Sequence, residues 1–186
     1  MSRVTQGQGP LLTPSMLPIG ENVIFEDSTF FARGHGSFPS PEEVRQLGNT
    51  GPWAIPTPVS FRALNLLVKY GPKITVAEGQ CMWAIRKLLP SVPVPEIYGW
   101  CRDEGHIFLY MQLIDGITLA DAWPDLDVEE KYELCGQLDG MLGDLRELRQ
   151  DPANPFIGKL LTEILCLSSI SDFPLQAALT AIMLRM

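Results

Sequence analysis

The stretch Leu64–Leu89, LNLLVKYGPKITVAEGQCMWAIRKLL, decides how this chain folds. Its first part alternates. Leu64, Leu66, Val68 and Tyr70 fall on one face, with Leu67 and Lys69 on the other, so Val59–Tyr70 reads as one or two strands. Gly71-Pro72 stops the strand. From Thr75 the period changes. Val76, Cys81, Ala84, Ile85 and Leu88 recur near helical spacing, which predicts a helix over Thr75–Leu89 that Pro90 ends.

Two charged residues stand out in this stretch. Lys69 follows Leu66-Leu67-Val68, and an unpaired ammonium buried among such neighbours is costly. It is either an edge-strand lysine whose head reaches water or a lysine aimed into a cleft to bind phosphate. Glu78 lies one turn into the helix. Thr75-Val76-Ala77-Glu78 has the form of a capping box, in which Glu78 bonds back to the Thr75 amide. The other reading pairs Glu78 with Lys69 and aims the ammonium. A strand lysine followed nine residues later by a helix glutamate is how kinase-type folds hold ATP phosphates.

Working outward, Ser91–Pro95 is extended, because Pro93 and Pro95 disfavour helix before them. Glu96–Arg102 and His106–Leu113 are strands around Asp103-Glu104-Gly105, a hairpin turn, and Asp115-Gly116 is a further turn. Asp127 with Glu130 opens the strongest helix. Leu134, Leu138, Met141, Leu145 and Leu148 follow at spacings of three and four, to an end near Gln150. Upstream, Asn22–Arg33 carries Ile24, Phe25, Phe30 and Phe31. Ser40-Pro41-Glu42-Glu43 starts a short helix ending near Gly48, and a turn-rich linker runs to Pro58. Strands followed by one packed helix, a hairpin and a long helix define an α+β domain.

Composition sets the outer limits. The 186 residues are 46% apolar and 19% charged, enough for a packed core. Sixteen Gly and sixteen Pro favour short elements with many turns over a helix bundle. Lys and Arg number 14 against 22 Asp and Glu, for a net charge of −8. Without a basic run, neither nucleic acid nor an anionic membrane is an expected partner. Met1–Gly20 carries only Arg3 as a cation and is broken by prolines, so it does not read as a signal peptide. No stretch is long and apolar enough for a membrane helix. A cytoplasmic protein is expected.

Cys81, Cys101, Cys135 and Cys166 fit no zinc or redox spacing; Cys81 and Cys135 fall on apolar stripes and are expected to be buried and reduced. His35 and His106 lack partners at ligand spacing, so no metal site is expected. Gly34-His35-Gly36 and Gly48-Asn49-Thr50-Gly51 match no phosphate-binding loop and read as turns.

Several runs together resemble one family. They are Phe25–Phe31, Pro39–Arg45, Leu67–Gly71 with Ala77–Met82, Val92–Tyr98, Tyr110–Gly116 and Gln150–Gly158. Over roughly residues 22–158 the chain resembles the aminoglycoside-phosphotransferase-like family as it occurs in filamentous fungi, which has a protein-kinase-like fold. The resemblance implies a kinase-like small lobe, an antiparallel sheet with one packed helix, followed by a long helix and a helical tail. It implies a lead over 1–21, the small lobe and hinge over 22–116, the start of the large lobe over 117–158 and a divergent tail over 159–186. It implies ATP as cofactor, with Lys69 on the phosphates, Glu78 as its partner, and the backbone of Met111, Gln112, Leu113 and Ile114 as the hinge that holds adenine. Mg²⁺ is expected only in a form that also carries the family's catalytic-loop and metal-binding acids. The residues after Gly158 hold no His, no Asn and only Asp172, whose Asp172-Phe173-Pro174 lacks the Gly of a metal-binding Asp-Phe-Gly.

Three readings follow. One is an ATP-binding small lobe of a phosphotransferase, catalytically incomplete in this form, its acceptor unknown. The second is a non-catalytic module whose exposed apolar surface, along the hinge and the Asp127 helix, takes a protein partner. The third is a truncated product without a function of its own.

Overall fold

The computed structural model describes residues 9–48 and 58–150. They divide into two compact units, one of residues 18–48, 58–83 and 95–116, the other of 9–17, 84–94 and 117–150. The linker between 49 and 57, the Gln150–Gly158 run beyond residue 150, Cys166 and the expected helical tail lie outside the described residues.

The first unit is built on a five-stranded antiparallel sheet. Its strands are β2 (Val23–Ile24), β3 (Val59–Phe61), β4 (Leu66–Gly71), β5 (Ile97–Asp103) and β6 (His106–Gln112), in the order β2-β5-β6-β4-β3. The expected Val59–Tyr70 segment is two strands separated by a 3₁₀ turn at Arg62–Leu64. Within β4 the expected alternation holds: Leu66, Val68 and Tyr70 are buried in one core cluster, while Leu67 packs against the other. The hairpin turn is Glu104-Gly105, with φ of 46° and 79°, the paired positive values a tight two-residue hairpin requires.

Helix α3 (Val76–Leu88) follows β4 and covers one face. Met82 packs there with Ile97, Trp100, Ile107, Leu109 and Met111. Gly79 lets the helix approach this closely: a Cβ there would lie 2.9 Å from Trp100 Cε3 and 3.2 Å from Leu109 Cδ2.

The other face is covered too, which departs from the expectation of a single packed helix. Two short helices, α1 (Thr29–Ala32) and α2 (Pro41–Leu47), bring Phe30 and Val44 onto Tyr70, Tyr98, Phe108 and Tyr110. The physical reason lies in β6. Ile107, Phe108, Leu109, Tyr110 and Met111 are all apolar, so both faces of the strand must be shielded from water. A bulge between Ile97 and Gly99 shifts the alternation of β5, so that Tyr98 and Cys101 serve one face and Ile97 and Trp100 the other. Phe38 stacks on Tyr110 with centroids 4.5 Å apart, and Arg45 lies over Phe108 while pairing with Asp103. Helix α2 begins as the sequence indicates, with reciprocal Ser40 and Glu43 capping bonds.

The second unit holds β1 (Leu11–Leu12), α4 (Leu119–Ala122), α5 (Val128–Glu147) and β7 (Arg149–Gln150). The Asp127–Glu130 capping box starts α5 as expected. The helix ends at Glu147, short of Gln150, because β7 pairs in parallel with β1. Residues 9–21, expected as a flexible lead, are therefore structured. Leu12 is fully buried, and Pro18 and Gly20 carbonyls accept bonds from Gln80 and Trp100. Cys135 is exposed, against expectation, because it sits one residue past Leu134 and turns off the apolar stripe. No helix among the described residues is long and apolar enough to cross a membrane.

Candidate functional site

Lys69 and Glu78, nine residues apart, meet on the α3 side of the sheet. Lys69 lies mid-strand in β4, opposite Leu109 of β6. Its Nζ donates to Glu78 Oε1 at 2.5 Å, with side-chain exposures of 13% and 4%. Neither bland reading of the pair holds. The lysine head is not on an open edge, since β4 is flanked by β3 and β6. The Glu78 carboxylate goes to Lys69 rather than back to the Thr75 amide. Its second oxygen, Oε2, is buried and accepts no hydrogen bond from the described residues. A buried carboxylate oxygen without a donor is costly, and each instance calls for an explanation.

Cys81 sits one turn beyond Glu78 and reports on the same environment. Burial first, and the Glu78 charge second, push its thiol up to about 12. The thiolate is therefore scarce in the folded protein at pH 8. Iodoacetamide at pH 8 should leave Cys81 unmodified in native buffer while alkylating exposed Cys135 within minutes, read by peptide mass spectrometry. Equal labelling of the two would contradict the burial. Because the folded value exceeds the ordinary 9.0, the stabilisation is complete below pH 9 and is lost as pH rises from 9 towards 12.

The four hinge residues do not behave alike. Met111 is 3% exposed and lies within the ladder, opposite Leu67 on one side and Ile97 on the other. Leu113 has both main-chain groups taken by Asn65: its amide donates to the Asn65 carbonyl at 3.1 Å, and its carbonyl accepts from the Asn65 side chain at 3.0 Å. Met111, within the ladder, and Leu113, against Asn65, thus have their main chains engaged inside the protein. In an antiparallel ladder, successive residues turn their main-chain groups to opposite neighbours. Leu113 faces β4, and Gln112, the last residue of β6, faces the other way. The Gln112 amide donates to the Glu96 carbonyl at 2.8 Å. The Glu96 amide, however, goes to the Gln112 side-chain oxygen at 3.3 Å, so the reciprocal main-chain bond is not made. Among the described residues, none bonds to the Gln112 carbonyl or to the main chain of Ile114.

Asn65, Glu96 and Arg33 were not legible as site residues. Asn65 is a polar residue between two leucines, a signal no stronger than an ordinary turn. Asp115 of the expected turn pairs with Arg62 at 3.3 Å, both largely exposed, and Gly116 has the positive φ of 149° that suits glycine.

No protein-family model matches the chain, and searches of curated proteins and of solved structures return no significant match.

Proposed function

We propose that the sheet unit is a nucleotide-binding half-site of phosphotransferase type, with ATP its ligand. The observation that carries the reading is the buried Lys69–Glu78 pair, in which a carboxylate with a spare oxygen holds a strand ammonium. A lysine held this way is a fixed positive charge suited to phosphate oxygens. The resemblance to the aminoglycoside-phosphotransferase-like family supports the same assignment.

The hinge chemistry fits adenine. The Gln112 carbonyl would accept from the exocyclic amino group, and the Ile114 amide would donate to the adjacent ring nitrogen. Guanine offers an acceptor and a donor in the reverse order, so ATP is favoured over GTP. The described residues include no group of three His, Cys, Asp or Glu that could hold a metal ion, and no step is assigned to Mg²⁺. What these residues do is bind and orient. Phosphoryl transfer itself requires acids that lie outside the half-site, and the acceptor is left open.

Isothermal titration of ATP into the full chain tests the reading. One-to-one binding is expected, and Lys69→Met should weaken it about 10- to 100-fold, the worth of a charge-assisted phosphate contact. Binding that Lys69→Met leaves unchanged sinks the assignment.

A second reading, a protein-interaction surface, has its own observation. Val128 and Tyr132, one turn apart on α5, are 68% and 75% exposed.

A further inference from the structure

The end of the hinge strand is tied on both flanks to one short helix. On the β4 flank a single residue does the tying. Asn65 closes the 3₁₀ turn in the left-handed region, with φ 51° and ψ 41°, a conformation that asparagine tolerates better than most residues. Its own amide is consumed by the turn, donating to the Arg62 carbonyl at 3.1 Å. It therefore cannot complete the ladder with Leu113, and its side chain takes that place. Oriented to satisfy its neighbours, the side-chain nitrogen donates to the Leu113 carbonyl at 3.0 Å. The side-chain oxygen accepts from Arg33 Nη1, also at 3.0 Å.

Arg33 is the residue that caps the C-terminal end of α1. The N-terminal end of the same helix is fastened to the opposite flank. Thr29 donates from its amide to Glu96 Oε1 at 3.1 Å and from its hydroxyl to Glu96 Oε2 at 2.6 Å. Glu96 is the residue that meets Gln112. Helix α1 thus braces Asn65 at one end and Glu96 at the other, and Gln112 and Leu113 lie between them.

We propose that Asn65, held by Arg33, is the positioning residue of the nucleobase edge. The proposal rests on the reading of this strand end as part of a nucleotide site. By occupying both main-chain groups of Leu113, Asn65 fixes which groups of the segment meet the base. The Gln112 carbonyl and the Ile114 amide then present an acceptor and a donor in the order that adenine complements. Without the side-chain half of the clamp, the Leu113 carbonyl is released and competes with the Gln112 carbonyl for the base, and the discrimination between adenine and guanine narrows. Lys69, four residues along the chain from Asn65 and opposite Leu109, is untouched by the clamp.

The test uses the full chain, three probes and two variants. The probes are ATP, GTP and inorganic tripolyphosphate, each titrated calorimetrically. Asn65→Asp keeps the shape and the Arg33 contact but sets a carboxylate oxygen against the Leu113 carbonyl. Asn65→Gly keeps the left-handed backbone and removes the side chain altogether, so a fold lost in one variant leaves the other as the test. Both should bind ATP about three- to tenfold more weakly, the worth of one lost hydrogen bond, with a smaller ATP-to-GTP ratio. Tripolyphosphate affinity should stay at the wild-type value. Wild-type affinity and selectivity in both variants overturns the proposal while leaving the nucleotide site standing. An equal loss of ATP and tripolyphosphate also overturns it, since that is general damage. A wild-type chain that binds neither ATP nor tripolyphosphate overturns the nucleotide site itself, and the role of Asn65 with it.

Discussion

Glu78→Leu is expected to lower the unfolding free energy by about 3–5 kcal/mol, because it removes the carboxylate that a mostly buried ammonium pairs with. Lys69→Met should cost a similar amount for the mirror reason, leaving the Glu78 carboxylate buried with neither oxygen paired to the lysine. The double replacement Lys69→Met with Glu78→Leu should recover most of the loss. Two apolar side chains of similar volume need no pairing, and exchanges of this kind are often neutral. The difference between the double variant and the sum of the singles is the coupling of the pair, expected to exceed about 3 kcal/mol. Urea midpoints with unchanged slopes measure it. Strictly additive losses would mean that the two charges do not depend on one another. The double variant also separates stability from function, since a fold restored without its lysine should still fail to bind ATP at wild-type strength.

Trp100→Ala is expected to cost about 3–5 kcal/mol as well, by a different route. Trp100 is 1% exposed and lies under α3, where its ring meets Gly79 and, edge to face at 5.6 Å, Phe25. Its indole nitrogen donates to the Gly20 carbonyl at 2.9 Å. Truncation therefore opens a cavity, removes an aromatic pair and leaves a carbonyl to find another donor. The consequence reaches the candidate site, because α3 carries Glu78 and is seated on this ring. Loss of the seat should weaken ATP binding even at temperatures where the variant remains folded. A thermal melt should place its midpoint more than about 10 °C below wild type. A shift of only a degree or two would mean that α3 is held elsewhere.

Much of the architecture could be read before the structure. The change of period at Gly71-Pro72 located β4 and α3, and two capping boxes located the starts of α2 and α5. Each of these is a local signal, written in residues three or four apart. The second covered face of the sheet was less accessible. Its cause, five consecutive apolar residues in β6, says only that both faces need cover, not that Phe30 and Val44 supply it. The β1–β7 pairing joins residues that are more than 130 positions apart in the chain, and neither dipeptide has a strand pattern of its own. At the site, spacing brought Lys69 and Glu78 forward together. Asn65 stayed hidden because its role depends on a left-handed turn that spends its amide, which no periodicity reveals.

The central claim is that the Lys69 ammonium, held by Glu78, faces the phosphates of ATP. An acyl-phosphate derivative of ATP, which transfers its acyl group to a lysine lying beside the bound phosphates, tests it most directly. Peptide mass spectrometry should find Lys69 as the principal acylated lysine, with labelling cut at least about tenfold by excess ATP. Acylation confined to other lysines, or labelling of Lys69 that excess ATP leaves unchanged, would contradict it.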